Sequence, residues 1–415
     1  MSIYNVMKIL LICAFFPPEV GSAAHLYYEL GQALQTRGHE ITVITGLPRY
    51  HVIGERNQYR GRPFIYETYH QLKVLRVFNF DIPWHVPLLR GLDQFLSALL
   101  FGGAGLWLPT FDVALVYSPP LPLALATLVL GWLRGKPTIL NVQDIFPQSA
   151  IDLGVLKNRH LIRLFKGMES FLYRRFGTIV VHSEGNRNYV LSRGGAAAGV
   201  KVIPNWVDTE AIKPADEQNS IRQVLGVEHH FIVSFAGIMG FSQDLDTILN
   251  CASLLKNDRD IAFLLVGDGV EKPRIQTMSR ELHLDNVHFL PMQSKEEYPK
   301  VLAASDLCLV TLRSEVKTPV VPSKILSIMA AGRPVLASLP LTGDASRLIA
   351  AAEAGLSLPP ESPEMMAEAI LKLRHNPALL KEMGAKGRSY AEKHLSLETC
   401  VGHLEHLFEE AITDS

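Results

Sequence analysis

Cysteine is scarce. The 415 residues contain four, Cys13, Cys251, Cys308 and Cys400, spaced far apart. They form no metal-ligand pattern and no disulfide framework, which fits a reducing, cytoplasmic setting. Charge is also sparse: charged residues make up 20% of the chain, the net charge is −1, and no long block of one sign occurs. Nucleic acid needs a basic footprint and is therefore disfavoured as a partner. The opening strand-to-helix loop lacks the G-x-G-x-x-G fingerprint, which counts against a nicotinamide dinucleotide. An unbroken membrane-spanning run is missing too. Val113 to Leu133 has no charged residue over 21 positions, but "SPPLP" at 118–122 interrupts it, and adjacent prolines break a helix.

What is present is globular. Apolar residues reach 48%, and the chain exceeds the size at which single cores usually stop growing, so two domains are expected. The opening "MKILLICAFFPPEVGSAAHLYYELGQALQTRGHEITVIT" (7–45) has some look of a secretion signal. Pro17, Pro18 and Glu19 interrupt its apolar run, however, and Leu26, Leu30, Ala33 and Leu34 then recur at helical spacing. It reads as strand, loop, helix, strand, with Gly38 ending the helix.

Strand-like runs follow near 73–78, 112–117, 137–143, 178–182 and 200–203, and helix-like runs near 88–102, 122–133, 158–175 and 184–193. That alternation predicts a parallel sheet with helices on both faces. The apolar stretch 84–109 reads either as a core helix or as one lying on a bilayer surface. A polar linker at 205–220 precedes a second alternation: "HFIVSFAG", a helix at 244–256, "IAFLLVGDG", a helix near 271–282, "VHFL", a helix near 294–304, "LCLVTL", a helix near 322–331, "PVLAS", then helices to the end. The fold class expected is α/β, two tandem Rossmann-like doubly wound domains facing an interdomain cleft. The expected boundaries are 1–205, 206–395 and a last helix at 396–415 crossing back to the first domain. Ligands of such sheets bind beyond the carboxyl ends of the strands.

Those ends carry the candidate site residues. Gly21, in "PPEVGS", sits before the first helix, whose N-terminal amides suit a phosphate or another anion; a plain turn is the alternative. Gly237 and Gly240 offer backbone to a diphosphate, with Ser242 and Gln243 as hydrogen-bonding neighbours; a plain strand-to-helix turn is the alternative. Gly267 and Asp268, in "VGDG", form a turn of the kind that borders sites. In "RSEVKTPVVPSKILSIMAAGRPVLAS" (313–338), Pro322 is placed to open a helix. Ser323 and Lys324 then fall in its first turn, where a lysine is unfavourable unless an anion neutralises it. An exposed surface lysine is the alternative. Asp144 ends a first-domain strand and either orients an acceptor hydroxyl or caps the next helix. His182 lines the same edge or packs in the core. "DLD" at 244–246 reads as helix surface rather than a metal motif. His403 and His406, with no third ligand, read as solvent-facing or packing residues. No metal site is expected.

The chain resembles the retaining, nucleotide-sugar-dependent glycosyltransferases of family 4, with the GT-B architecture. The resemblance runs nearly end to end through "PPEVGS", "QDIFPQSA" (143–150), "VHSEGN" (181–186), "VIPNWVD" (202–208), "GIMGFSQDLD" (237–246), "VGDG", "LPMQS" (290–294), "VPSK" and "AAGRPV". The last set is most similar to the subgroup that builds bacterial surface polysaccharides, including transferases of the N-acetyl-fucosamine and colanic-acid type. The resemblance implies a UDP-type sugar donor held without a metal or other cofactor. It implies a polyprenyl-diphosphate-linked or saccharide acceptor at the inner leaflet, hence a cytoplasmic protein, peripheral at that membrane.

Two departures stand out. The Arg and Lys that usually grip the donor diphosphate would fall on Met239 and Gln243, and the usual pair of glutamates on Pro319 and Ser327. The diphosphate role then passes to Lys324, Ser323 and the Gly237–Gly240 backbone, with Glu315 or Arg313 near the donor sugar. The catalytic set expected is Asp144, Lys324 and Glu315. A nucleotide-sugar 2-epimerase of the same architecture, or a non-catalytic sugar-nucleotide-binding relative, are the alternatives.

Overall fold

The computed structural model describes residues 6–19, 22–48, 59, 61–79, 87–215 and 220–414. The chain divides into two compact units, Met1–Asn205 with Leu397–Ser415, and Trp206–Ser396.

In the first unit the chain runs β1 (Lys8–Ile12), α1 (Ser22–Thr36), β2 (Glu40–Gly46), β3 (Phe64–Tyr69), β4 (Leu72–Val77), α2 (Pro87–Trp107), β5 (Val113–Ser118), α3 (Leu121–Arg134) and β6 (Thr138–Val142). Then come α4 (Gln148–Asp152), α5 (Arg159–Arg175), β7 (Thr178–Val181), α6 (Glu184–Ser192) and β8 (Val200–Val202). The strands form one sheet in the order β3-β4-β2-β1-β5-β6-β7-β8, and only the β3–β4 pair is antiparallel. Central strands such as "KILLI" and "VALVYS" are buried almost throughout. A parallel sheet covered on both faces needs continuous apolar runs rather than alternation. β3 was not expected from the sequence. It is an edge strand whose residues alternate between exposed and half-buried, so it carries no core signal.

The unit is completed by α15 (Leu397–Thr413), the last helix of the chain. Glu405 on α15 is held by Arg37 at 2.5 Å and by His39 Nε2 at 2.8 Å. His403 and His406 face solvent. No helix among the described residues is long and apolar enough to cross a membrane.

The second unit runs α7 (Ser220–Leu225), β9 (Phe231–Ala236), α8 (Leu245–Leu254), β10 (Ile261–Val266), α9 (Lys272–Glu281), β11 (Val287–Leu290), α10 (Tyr298–Ala303) and β12 (Leu307–Thr311). It continues with α11 (Ser323–Ala330), β13 (Val335–Ser338), α12 (Asp344–Ala351), β14 (Gly355–Leu358), α13 (Pro363–Arg374) and α14 (Pro377–Tyr390), and closes with a π-helical turn at Ala391–Leu395. Its sheet order is β11-β10-β9-β12-β13-β14, all parallel. β14 corrects the expectation of helices to the end. "GLSL" is a half-buried edge strand, too short and too mixed to stand out. Where the chain enters and leaves the unit, the Val207 N–H donates to Leu395 O at 2.9 Å. Strand order reverses between β9 and β12, and such a switch opens a crevice at the carboxyl ends of the strands.

Candidate functional site

The loops after β9, β10 and β12 meet at this switch. Gly237 follows β9 directly, with φ of 141°, a conformation that only glycine adopts cheaply. Its N–H donates to Val266 O at 2.9 Å, joining it to the end of β10. Gly267 approaches so closely that any Cβ there would overlap the Gly237 carbonyl. The two loops are therefore in backbone contact. Beside them Asp268 is exposed, and its Oδ1 accepts the Gly269 N–H at 2.8 Å. Gly240 is open: a Cβ there would meet only Ile238 Cγ2, at 3.8 Å. Its carbonyl accepts the Gln243 N–H at 3.0 Å.

Met239, on which the family's usual diphosphate-gripping arginine would fall, faces inward. It is fully buried in the core, while its backbone bonds Asp268 O and the Glu271 N–H. A cation at that position would face the core rather than the crevice.

Lys324 occupies the centre of the site. Pro322 is the N-cap of α11, one place earlier than expected, and no side chain caps the helix. Ser323 is exposed there. Lys324 folds back rather than extending into solvent. Its Nζ donates to Gln243 Oε1 at 2.9 Å and lies 3.6 Å from the centre of the Phe235 ring. Gly237 makes room for it: a Cβ there would sit 3.4 Å from both Cε and Nζ. The residue keeps some exposed surface, but its ammonium end is enclosed, and burial pushes its pKa down to about 7. The ring face returns about 0.5–2 kcal/mol to the charged form, and a buried ammonium without a counter-ion loses more than that. Phe235 went unnoticed in the sequence. Its only signal is strand parity, which puts it on the same face as Gly237.

Arg313 is held away from the role expected for it. Its Nε donates to Phe241 O and its Nη2 to Asp246 Oδ2, both at 2.9 Å. Arg274 grips the same carboxylate at 2.6 and 2.9 Å. The hydrogen bond from Arg274, helped by the charges of Arg274 and Arg313, holds Asp246 below the usual carboxylate range. Asp244 is the N-cap of α8, accepting from the Thr247 N–H at 3.3 Å. Both carboxylates of "DLD" are therefore committed to structure. No group of three or more metal-ligating side chains converges among the described residues. Glu315 is exposed and makes no hydrogen bond among the described residues. The loop bearing it is anchored by Ser314, whose N–H and hydroxyl donate to Glu361 Oε1 at 3.0 and 2.8 Å.

The remaining candidates belong to the first unit. Gly21 lies outside the described residues. Asp144 follows β6 and accepts from the Ser149 hydroxyl at 3.1 Å. Although part of the residue is exposed, crowding around the carboxyl raises its pKa, against the hydrogen bonds from Ser149 and the Ile145 amide. His182, half-buried, ends β7 beside Asn186. Next to Asp144, Gln143 and Asn205 exchange reciprocal amide hydrogen bonds at 2.9 and 2.8 Å.

Comparison with known proteins gives two family matches, a glycosyl transferase 4-like domain over residues 21–206 and glycosyl transferases group 1 over residues 217–390. Among curated proteins, the putative colanic acid biosynthesis glycosyl transferase WcaI of Escherichia coli (strain K12) is 25% identical over 415 residues, covering 95% of this chain and 98% of that one. Among solved structures, sucrose-phosphate synthase from Thermosynechococcus elongatus matches with a TM-score of 0.78 at 16% identity, covering 98% of this chain and 100% of that one. Anabaena Alr3699/HepE, in complex with UDP, matches with a TM-score of 0.72 at 18% identity, covering 97% of this chain and 100% of the other. At such identities the likeness to these structures is one of fold.

Proposed function

Because the chain belongs to the group 1, family-4-like glycosyltransferases with the GT-B fold, we propose that it moves a sugar from a UDP-type donor to a growing surface polysaccharide with retention of anomeric configuration. The observation that carries this reading is the Lys324 ammonium, lodged with Gln243 and Gly237 at the strand-order switch and lacking a carboxylate partner among the described residues. Breaking a sugar–phosphate bond leaves charge on the departing diphosphate. A fixed cation and the free amides at the start of α11 are placed to stabilise that charge. No metal is needed for this step. Ser323 and the Gly240 backbone add donors around the diphosphate, Asp268 borders it, and Glu315 is free to reach the sugar. Asp144 serves the acceptor hydroxyl.

The acceptor in this reading is a polyprenyl-diphosphate-linked saccharide, reached at the inner leaflet by a cytoplasmic protein. The outer faces of α2 and α3 support this. They expose Leu99, Leu106, Trp107, Val129, Trp132 and Leu133 around an apolar groove of about 330 Å³. For the donor and the polysaccharide product, the reading is supported by WcaI, named for colanic acid biosynthesis, and by HepE, solved with UDP.

The test is transfer from a panel of UDP, GDP and TDP sugars to a lipid-linked acceptor, with and without chelator, reading product anomer by NMR. UDP release with a retained anomer and no chelator effect is expected. Epimerised nucleotide sugar without UDP release, or binding without turnover on every acceptor, would overturn it.

A further inference from the structure

We propose that Gln243 is a positioning residue that holds Lys324 as an uncompensated amine, so that donor binding itself draws a proton from solvent onto Lys324. This rests on the donor site proposed above and adds how that site acquires its charge.

Among the described residues, the side chains in contact with Nζ are neutral. The Gln243 amide oxygen accepts from it at 2.9 Å and the Phe235 ring lies against it. The Gln243 amide nitrogen, in turn, lies 3.4 Å from Ser242 Oγ. The charged groups on the surrounding elements are either engaged elsewhere or exposed to solvent. Asp244 caps α8, and Asp246 is held by Arg274 and Arg313. Asp268 accepts from the Gly269 N–H, and Lys272 Nζ donates to Gly267 O at 2.8 Å. Glu315 and Lys317 are exposed on the loop after β12, and Cys308 is buried within β12. None of them supplies Lys324 with a counter-ion. A glutamate at position 243 would keep the ammonium charged permanently but would also neutralise it. An amide keeps the hydrogen bond and leaves the charge for the ligand.

In the free protein burial holds the amine near pKa 7. A diphosphate beside Nζ favours the charged form and raises that value. The linkage sign follows. Below pH about 7 the amine is already protonated and binding takes up little. Above it each binding event takes up close to one proton, and affinity weakens by up to about tenfold per pH unit until the complex itself deprotonates.

The test is calorimetric titration of the full-length protein with UDP at pH 7.0, 7.5 and 8.0. Each pH is measured in buffers of different ionisation enthalpy. UDP is fully ionised toward the upper end of this range, and Lys324→Arg, whose charge does not titrate, is run in parallel to subtract any proton contributed by the ligand. The expected uptake is about 0.5 proton at pH 7.0 and about 0.9 at pH 8.0. Lys324→Arg should bind UDP with no uptake attributable to the protein. Gln243→Glu should also show none and should bind UDP about tenfold more weakly or worse, while Gln243→Ala, which leaves the amine uncompensated but untethered, should retain uptake and bind UDP more weakly than wild type; Gln243→Ala with wild-type affinity would overturn the positioning role. Wild-type binding with no more uptake than Lys324→Arg would overturn this inference and leave the donor site standing. Failure of wild type to bind UDP at any pH would overturn the donor site itself.

Discussion

Lys324 is costly to the fold unless a ligand uses it. Its ammonium is enclosed, faces an aromatic ring and lacks an acidic partner among the described residues. Removing it should therefore cost little stability while removing the main cation of the donor site proposed above. Lys324→Ala is expected to lower kcat/KM for the sugar nucleotide by about 100-fold or more, the loss typical of one preorganised charge-stabilising donor. Its thermal unfolding midpoint should match that of the wild type within a degree or two. Unchanged kinetics would remove Lys324 from the site. Much of this site is legible as sequence, because glycines at strand ends and a lysine in the first turn of a helix have few structural uses. The rest depends on direction. Met239 and Gln243 lie four residues apart in one loop, yet one side chain enters the core and the other meets the lysine. Arg313 is likewise a plausible sugar contact until Asp246 and Phe241 are seen to hold it. No spacing rule separates these outcomes, because they are set by tertiary packing around the loop.

At the scale of elements, α15 is fastened to the end of α1 and the start of β2 by one buried carboxylate. The His39 Nδ1 accepts the Met7 N–H at 3.2 Å, so it carries no proton, and Nε2–H is left to donate to Glu405. Burial alone would raise the Glu405 pKa, but hydrogen bonds from His39 and Arg37 outweigh it and hold the value below the usual 4.5. A depressed carboxyl pKa stabilises the fold above the unfolded value and loses that contribution as pH falls through the folded one. Glu405→Ala should therefore lower the free energy of unfolding by about 2–3 kcal/mol at pH 7. Urea titrations should show the gap to wild type narrowing below pH about 4.5; a constant gap would mean the carboxylate charge is not what fastens the helix. Element by element, the strands easiest to read were those buried on both faces. "KILLI", "TILNV" and "IAFLLV" have no other plausible environment. β3 and β14 escaped because an edge strand of mixed residues satisfies half its backbone bonds without a hydrophobic signature. A single turn such as α4 is too short to show periodicity at all.

At the scale of the whole molecule, the net charge of −1 conceals an uneven surface. The only formal charge in α3 is Arg134, and it turns inward to the carbonyls of Gly105, Leu106 and Leu108 at the end of α2. That leaves the exposed face of α3 uncharged, with Trp132 79% exposed on it and Trp107, at the end of α2, 92% exposed. Isolated exposed apolar residues are ordinary, but a contiguous patch marks an interaction surface. The neighbouring α5 exposes Arg159, Arg163, Arg174 and Arg175. Tryptophan beside arginine is the composition of a surface that meets lipid headgroups. The protein should accordingly sediment with vesicles containing anionic lipid and much less with neutral ones. Trp107→Glu combined with Trp132→Glu should weaken that association by about tenfold or more, since each ring can bury about 150–250 Å² at roughly 25 cal/mol per Å². High salt should reduce the association only in part, because the apolar share is not screened. The donor site proposed above lies in the second unit, so UDP binding should be unchanged in the double variant. Equal sedimentation of wild type and variant, or none with either vesicle, would assign this face to a protein partner instead and leave the acceptor to be sought in solution.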